Sequence, residues 1–338
     1  MSYRLKFDEP VDKGWRRIVH EQIATAIELL SSGTDPATAI HETRKGMKRI
    51  RALLKLLRSG LSQDDYKREN ERYAGIARLL SDARDAAVLI ATATELSKST
   101  AGKPRATALA LAEEARHSAQ ARQTGPRASQ SGAKDSVAQA IAALKKAAKA
   151  VDKLELEQRS FSVVRRGVAK SYRAGRRAMQ RAYETGEDEE FHEWRKHVQA
   201  HWRHMGLLSR AWPDLFAARM QLAKEMSDLL GADHDLYVLI GRARQRRQHD
   251  AAGVDGLIKA AKARQGEIRD ELNAKGAALF AEETDEFVVR MEAYWVAAKA
   301  SRRQARAAEQ AQRKVGKATE GGELRRLPPR RAKVQTQP

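Results

Sequence analysis

The sequence predicts an all-α protein made of two duplicated halves, each an antiparallel helical bundle. Three observations predict it. The 338-residue chain is rich in Ala, Leu, Arg, Lys, Glu and Gln, all good helix formers, and strand-like alternation is nearly absent. Two blocks of sequence recur in the same order about 150 residues apart. Basic residues segregate to one side of several helical stretches while apolar residues fill the other.

Helices are expected near 10–31, 35–58, 64–98, 104–122, 134–154, 161–185, 188–210, 214–250 and 254–297. Breaks fall at Gly33, at Ser59-Gly60, at the TGPRASQSG stretch (124–132), at Thr185-Gly186 and at Pro213. Asp35 before Pro36 reads as an N-cap followed by proline at the first helical position. These breaks divide the chain into a first half at 8–123, a linker at 124–133, a second half at 134–297 and a tail at 298–338. From Lys299 onward the tail holds 12 Lys and Arg against 3 Glu, ends in Gly- and Pro-containing sequence, and has few large apolar residues. Disorder is expected beyond about residue 310, because such a composition buries too little apolar area to offset chain entropy.

The duplication rests on two matched blocks. IHETRK (40–45) matches FHEWRK (191–196), with His41 and His192 offset by 192 − 41 = 151 residues. LLSDARDAAVLI (79–90) matches LLGADHDLYVLI (229–240), with Asp85 and Asp235 offset by 235 − 85 = 150. Two blocks in one order and nearly one register indicate repeated halves.

Charge points to the partner. With 64 Lys and Arg against 44 Asp and Glu, the formal charge is +20. That favours a polyanion: nucleic acid, an anionic membrane surface or polyphosphate. A basic surface with no specific partner is the alternative. Aromatics are 5% of the chain, too few for a protein that stacks many bases. There is no cysteine, which excludes disulfides and thiolate metal sites. No apolar run reaches the ~20 residues of a membrane span. The N-terminal MSYRLKFDEP lacks the apolar stretch of a secretory signal, so a cytoplasmic location is expected.

On a helical wheel His41, Arg44, Lys45, Lys48, Arg49, Arg51 and Lys55 share an arc of about 160°. Ile40, Met47, Ile50, Leu53, Leu54 and Leu57 fill the other side. Like charges at i,i+4 repel by roughly a few tenths of a kcal/mol per pair, and a persistent polyanion relieves this. Arg brings planar bidentate donors for phosphate oxygens and Lys a compact charge. In the second block His192, Arg195, Lys196, Gln199 and Arg203 share a face opposite Phe191, Trp194, Val198, Met205 and Leu208. The preceding helix adds Arg173, Arg176, Arg177 and Arg181 on one side. Two adjacent basic faces would make a groove, and Lys13, Arg16 and His20 are candidates for the same role in the first half.

Asp82, Asp85, Asp233 and Asp235 are read as helix caps or as partners that orient the phosphate-binding cations, rather than as catalytic or metal-binding carboxylates. His197, His201 and His204 share an arc of about 60°. They lack a carboxylate at a conventional metal spacing, and their apolar neighbours mark them as satisfied histidines at the bundle interface. No metal site, cofactor or catalytic residue is assigned. Phosphate contact and structural hydrogen bonding are equally open for His41 and His192. No P-loop, nucleophile elbow or strand-borne glycine motif is present, so no enzymatic activity is expected.

At HETRKGMKRIRALLKLL (41–57), FHEWRKHVQAHWRHMGLL (191–208) and the paired LLSDARDAAVL and LLGADHDLYVL, the chain resembles the CHAD family, the conserved-histidine α-helical domain. SYRAGRRAMQRA (171–182) is similar to the family's entry to its second half, and the resemblance covers about residues 8–297. It implies two pseudo-symmetric helical bundles around a basic central cavity, binding of inorganic polyphosphate, and association with polyphosphate granules. His41, Arg44, Lys45, Lys48, Arg49 and Arg51 match the first motif, and His192, Arg195 and Lys196 the second. Gln199 stands where Lys is usual and Arg203 where an aromatic is common, which implies shifted contacts in the second half. Some relatives are fused to triphosphate tunnel domains of the CYTH type; this chain has no strands to build one. There are two rivals, the first of which shares the charge argument. A nucleoid-type nucleic-acid-binding protein predicts base-stacking or groove-reading elements, which the sequence does not show. An enzyme acting on phosphoanhydrides predicts a carboxylate cluster for Mg²⁺ in the basic cavity.

Overall fold

The computed structural model describes residues 3–80, 84–124, 130–158 and 160–323, which form eleven α-helices and, among the described residues, no strand. The first half holds α1 (Val11–Ser31), α2 (Pro36–Leu57), α3 (Gln63–Leu79), α4 (Arg84–Lys98), α5 (Gly102–Thr124) and α6 (Gln130–Val151); α6, expected to open the second half at 134, packs on α1 and α3 and so extends the first half past its expected end at 123. The second holds α7 (Ser162–Thr185), α8 (Asp188–Leu208), α9 (Pro213–Arg244), α10 (Ala251–Leu279) and α11 (Thr284–Glu323).

Local chemistry sets these boundaries. Asp35 accepts a hydrogen bond from the Thr38 amide at 2.9 Å and Pro36 follows it, so α2 starts as expected. Gly186 closes α7 with φ of 70°, a left-handed cap that glycine adopts without steric cost.

Three further expectations are corrected. The stretch 64–98 is two helices, α3 and α4, with residues 81–83 outside the described segments. The stretch 254–297 is also two. α10 stops at Leu279, and α11 begins with Asp285 and Glu286 in its first turn, where acids favour a new N-terminus. The Tyr172 hydroxyl fixes that corner by donating to the Glu282 carbonyl at 3.2 Å. Finally, the chain beyond 310 is not without structure: α11 continues to Glu323, although from Lys299 to Lys314 every side chain is exposed. Residues 324–338 of the tail, and 125–129 of the expected linker, lie outside the described residues.

The duplication reappears as packing. α1 packs on α2 and α6, as α7 packs on α8 and α11. α2 packs on α3 as α8 does on α9, and α4 on α5 as α9 does on α10. Between halves, α2 meets α8, α4 meets α9 and α5 meets α10, the pairings expected about a pseudo-twofold axis. One apolar cluster runs through both halves, with Trp15 and Trp194 fully buried. α2 supplies Met47, Ile50, Leu53, Leu54 and Leu57 to it, each worth about 1.5–3 kcal/mol by burial. α7 lies directly on the end of α2: a Cβ on Gly167 would fall 1.7 Å from the Leu56 carbonyl oxygen. With its apolar side in this core, α2 turns its basic side toward the seam between halves and toward α3.

Candidate functional site

A cleft of about 850 Å³ opens at that seam, lined by α2, α4, α5, α8 and the end of α9. Arg44 and Lys48, one turn apart, enter from α2, and Arg195 and Lys196 from α8. Arg242 and Arg246 complete the cationic lining from α9 and the residues after it. Among the described residues two carboxylates oppose them, Asp235 and Glu114, and Glu114 is ion-paired with Arg246. Val88, Leu89, Leu111 and Val238 form apolar walls.

Two imidazoles sit among these cations. His192 and His234 lie face to face, with ring centroids 4.2 Å apart and planes at 31°. Burial, then the charges of His234, Lys196 and Arg195, pushes His192 down to about 4. Burial and then the Arg195 charge push His234 below the ordinary histidine range. Both rings are therefore neutral at neutral pH, with buried Nδ1 atoms that have no hydrogen-bond partner among the described residues. Gly231 makes room for Arg195: a Cβ there would lie 2.8 Å from the guanidinium Nη2.

The expected basic face of α2 divides three ways. Arg44 and Lys48 reach the cleft. Lys45 does not; its Nζ donates to Glu42 at 2.7 Å, and His41 is exposed outside the cleft lining. The rest serve packing. Arg49 donates to Gln22 at 3.3 Å, Arg51 to Asn70 at 3.0 Å, and Lys55 to His197 Nδ1 at 3.3 Å. On α8, Arg203 turns away from the cleft toward Tyr3 and Arg49, bonds the Gln199 carbonyl at 2.9 Å, and is lowered in pKa by burial.

The arginines of α7 do not line the cleft. Arg173, Arg176 and Arg177 border an outer groove against α10, and Arg173, Arg177 and Arg181 border another against α8. Arg176 is held by both oxygens of Glu283, and Arg181 by Glu190 at 2.7 Å. The N-terminal candidates also lie elsewhere. Arg16 donates to the Leu154 carbonyl and His20 meets Asp152 at 2.7 Å, tying α1 to the segment after α6, while Lys13 is exposed.

The aspartates support the fold more than the cations of the cleft. Asp233, 1% exposed, accepts from Arg269 Nε at 2.7 Å, and Arg269 also reaches Asp188, so α9, α10 and the start of α8 are joined. Asp235 alone among the described ones faces the cleft; the side chains of Asp82 and Asp85 lie outside the described residues. His197, His201 and His204 each go to a different partner. His201 accepts from Arg219 Nε at 3.1 Å, His204 donates to the Ala52 carbonyl at 2.9 Å, and His197 takes Lys55. Burial holds all three neutral, His197 near 4 and His204 near 3.

Sequence reasoning missed His234, Arg242 and Arg246. The signal was their spacing: Asp235, Val238, Arg242 and Arg246 recur every three or four residues, continuing the face of the second repeated block.

A duplicated, all-helical fold with a cationic cleft on its pseudo-twofold seam defines a class in which both repeats contribute to one site. The family model for the CHAD domain matches residues 18–244, and the chain belongs to the CHAD domain family. That span ends with α9, so α10 and α11 follow it. Among solved structures, the chain is similar to PptA from Streptomyces chartreusis, with 16% identity and a TM-score of 0.50 over 81% of this chain and 98% of that one. It is also similar to the CHAD domain from the plant Ricinus communis, with 17% identity and a TM-score of 0.45 over 83% and 95% of the two chains. Among curated proteins none matches. No helix among the described residues is long and apolar enough to cross a membrane.

Proposed function

We propose that the protein binds inorganic polyphosphate in the seam cleft and does not turn it over, acting to target or organise polyphosphate granules in the cytoplasm. One observation carries the reading: cations from both repeats, Arg44 and Lys48 with Arg195 and Lys196, converge on a single cleft that Arg242 closes from a third side. Arginine forks take phosphate oxygens in pairs, and the lysines add compact charge. The neutral His192 and His234 rings offer N–H donors without adding to the repulsion. Membership of the CHAD family supports the choice of polyphosphate over other polyanions.

Nucleic acid is the competing ligand. The described walls offer aliphatic side chains and two imidazoles, with no Phe, Tyr or Trp on which bases stack. Competition between long polyphosphate and single-stranded DNA at matched phosphate tests the choice; tighter DNA binding overturns it. Among the described residues the carboxylates facing the cleft are Asp235 and the ion-paired Glu114, a poor set for holding Mg²⁺ against a phosphoanhydride. Incubation with polyphosphate and Mg²⁺ or Mn²⁺ is expected to release no phosphate. Protein-dependent chain shortening contradicts binding without turnover.

A further inference from the structure

The outer face of α7 carries a second line of cations. Arg166, Lys170, Arg173, Arg177 and Arg181 are spaced four, three, four and four residues apart. At 100° and 1.5 Å per residue they fall within an arc of about 80° and span about 22 Å. All five are exposed and line one groove of about 720 Å³ between α7 and α8. Ala169, Ala174 and Ala178 edge it on the α7 side, and Glu190, Glu193 and His197 line it from α8.

Little in the fold neutralises this line. Lys170 and Arg177 have no carboxylate partner among the described residues. Arg166 bonds neutral groups, Gln158 and Ser59. Arg173 meets only Asp285 at 3.6 Å, a carboxylate 91% exposed. Arg181 alone is closely paired, with Glu190. Like charges at these spacings repel, so the line of cations is electrostatically unsatisfied within the fold.

The first half shows what a satisfied version looks like. Buried Val11, Gly14, Trp15, Ile18, Val19 and Gln22 of α1 correspond to buried Val164, Gly167, Val168, Ser171, Tyr172 and Gly175 of α7, an offset of 164 − 11 = 153 residues. At that offset the α7 line corresponds to Lys13, Arg17, His20, Ala24 and Glu28. There Arg17 is clamped by Glu9 and Glu21, and His20 meets Asp152. The same face is discharged in one half and left charged in the other.

The groove adjoins the cleft. Lys196 lines the cleft, and its ion-pair partner Glu193 lines the groove, so the body of α8, about 10 Å across, separates them. We propose that the α7–α8 groove is a second subsite for the same polyphosphate chain, reached only by chains long enough to cross α8 from the cleft. The protein then selects by chain length. This rests on the cleft being the primary site. Once a chain is held in the cleft, its free end is at high effective concentration at α7, so the second contact adds affinity without a second binding event from solution.

The test compares tripolyphosphate with long-chain polyphosphate on the full chain. Replacing Lys170, Arg173 and Arg177 together by Ala is expected to weaken long-chain binding about tenfold or more. It is expected to lower the log–log salt slope by about 2, at about 0.7 per lost phosphate contact. Tripolyphosphate binding should stay within about twofold of the parent. A second variant, Lys170→Gln with Arg177→Gln, touches no ion pair and should show the same selectivity at smaller size. Equal weakening of both chains, or no weakening of the long one, overturns the second subsite. Equal weakening of single-stranded DNA shows an unselective basic surface and also overturns it. Failure of the cleft reading is distinguishable: there, Arg44→Ala with Lys48→Ala leaves both chains bound, and the two-subsite arrangement falls with it.

Discussion

His41 and His192 occupy the same position in the two repeats, yet His41 is exposed and His192 lies face to face with His234. Lys45 and Lys196 are equivalent too, and each bonds the glutamate three residues before it, Glu42 or Glu193. Only Lys196 borders the cleft. Arg44 and Arg195 both reach it, as do Lys48 and its equivalent Gln199, so Arg44 and Arg195 are the matched pair that is cationic in both repeats. The difference teaches that a repeated motif specifies a helix and its buried face, while neighbouring helices decide which polar residues share a site. α8 runs beside α9, which brings His234, Asp235 and Arg242, so more of the second motif is drawn into the cleft.

Breaking the matched pair should have the largest effect. Arg44→Ala and Arg195→Ala are each expected to weaken long polyphosphate about tenfold, and the double variant about a hundredfold, from roughly 1.5–3 kcal/mol per charged hydrogen-bonding group. Titration of the four proteins measures this; an effect from one arginine alone would mean that the repeats do not share a ligand. Gly231→Ala is expected to weaken binding about three- to tenfold by displacing Arg195 while adding about 0.5–1 kcal/mol of helix stability. Thermal melts and binding assays should then move in opposite directions, and a variant that loses neither affinity nor Arg195 placement would refute the packing argument.

The histidines sharpen the comparison through pH. Burial lowers His192, His197, His201 and His204 in the second repeat, and the unfolded chain regains their ordinary value of 6.5. The unfolded state therefore binds more protons below that pH. Stability is fully present above about 6.5 and falls toward pH 4, each neutral histidine adding a slope of about 1.4 kcal/mol per pH unit. His204→Gln keeps a donor for the Ala52 carbonyl and should reduce that slope by about one histidine's share in denaturant titrations between pH 6.5 and 4. An unchanged slope would place the acid lability elsewhere. The smallest expected effect separates the equivalent lysines. Lys196→Ala should cost about fivefold in polyphosphate affinity and Lys45→Ala less than about twofold, as for an exposed ion-paired residue outside the site; the reverse order would show that the cleft is drawn on the wrong side of α2.

Much of this is legible in the sequence alone. The Asp35 cap, the apolar side of α2, the repeat, and Arg44, Lys48, Arg195 and Lys196 all follow from spacing and residue type. A helical wheel gives angle but not axial neighbours. Lys55 lies within about 20° of Arg44 on the wheel but about 16 Å further along the axis, where His197 receives it instead of the cleft. Arg203 shares its motif with Arg195 yet packs beside Tyr3, a residue far away in sequence. The break before α11 was written in Thr284, Asp285 and Glu286, but a continuing apolar period hid it. The cleft wall from Arg242 and Arg246 depends on how far α9 reaches past α2, which only tertiary packing sets.

The central claim is that affinity resides in the cleft rather than in net charge, and two variants of equal charge test it most directly. Arg44→Ala, Lys48→Ala and Arg195→Ala together remove three positive charges from the cleft; Arg302→Ala, Arg303→Ala and Arg306→Ala remove three from the exposed part of α11. Long-polyphosphate affinity is measured for both across a salt series. The cleft variant is expected to lose at least about a hundredfold and about 2 from the log–log slope, and the α11 variant only a few-fold. Equal losses would contradict the account and leave the protein as a basic surface without a site.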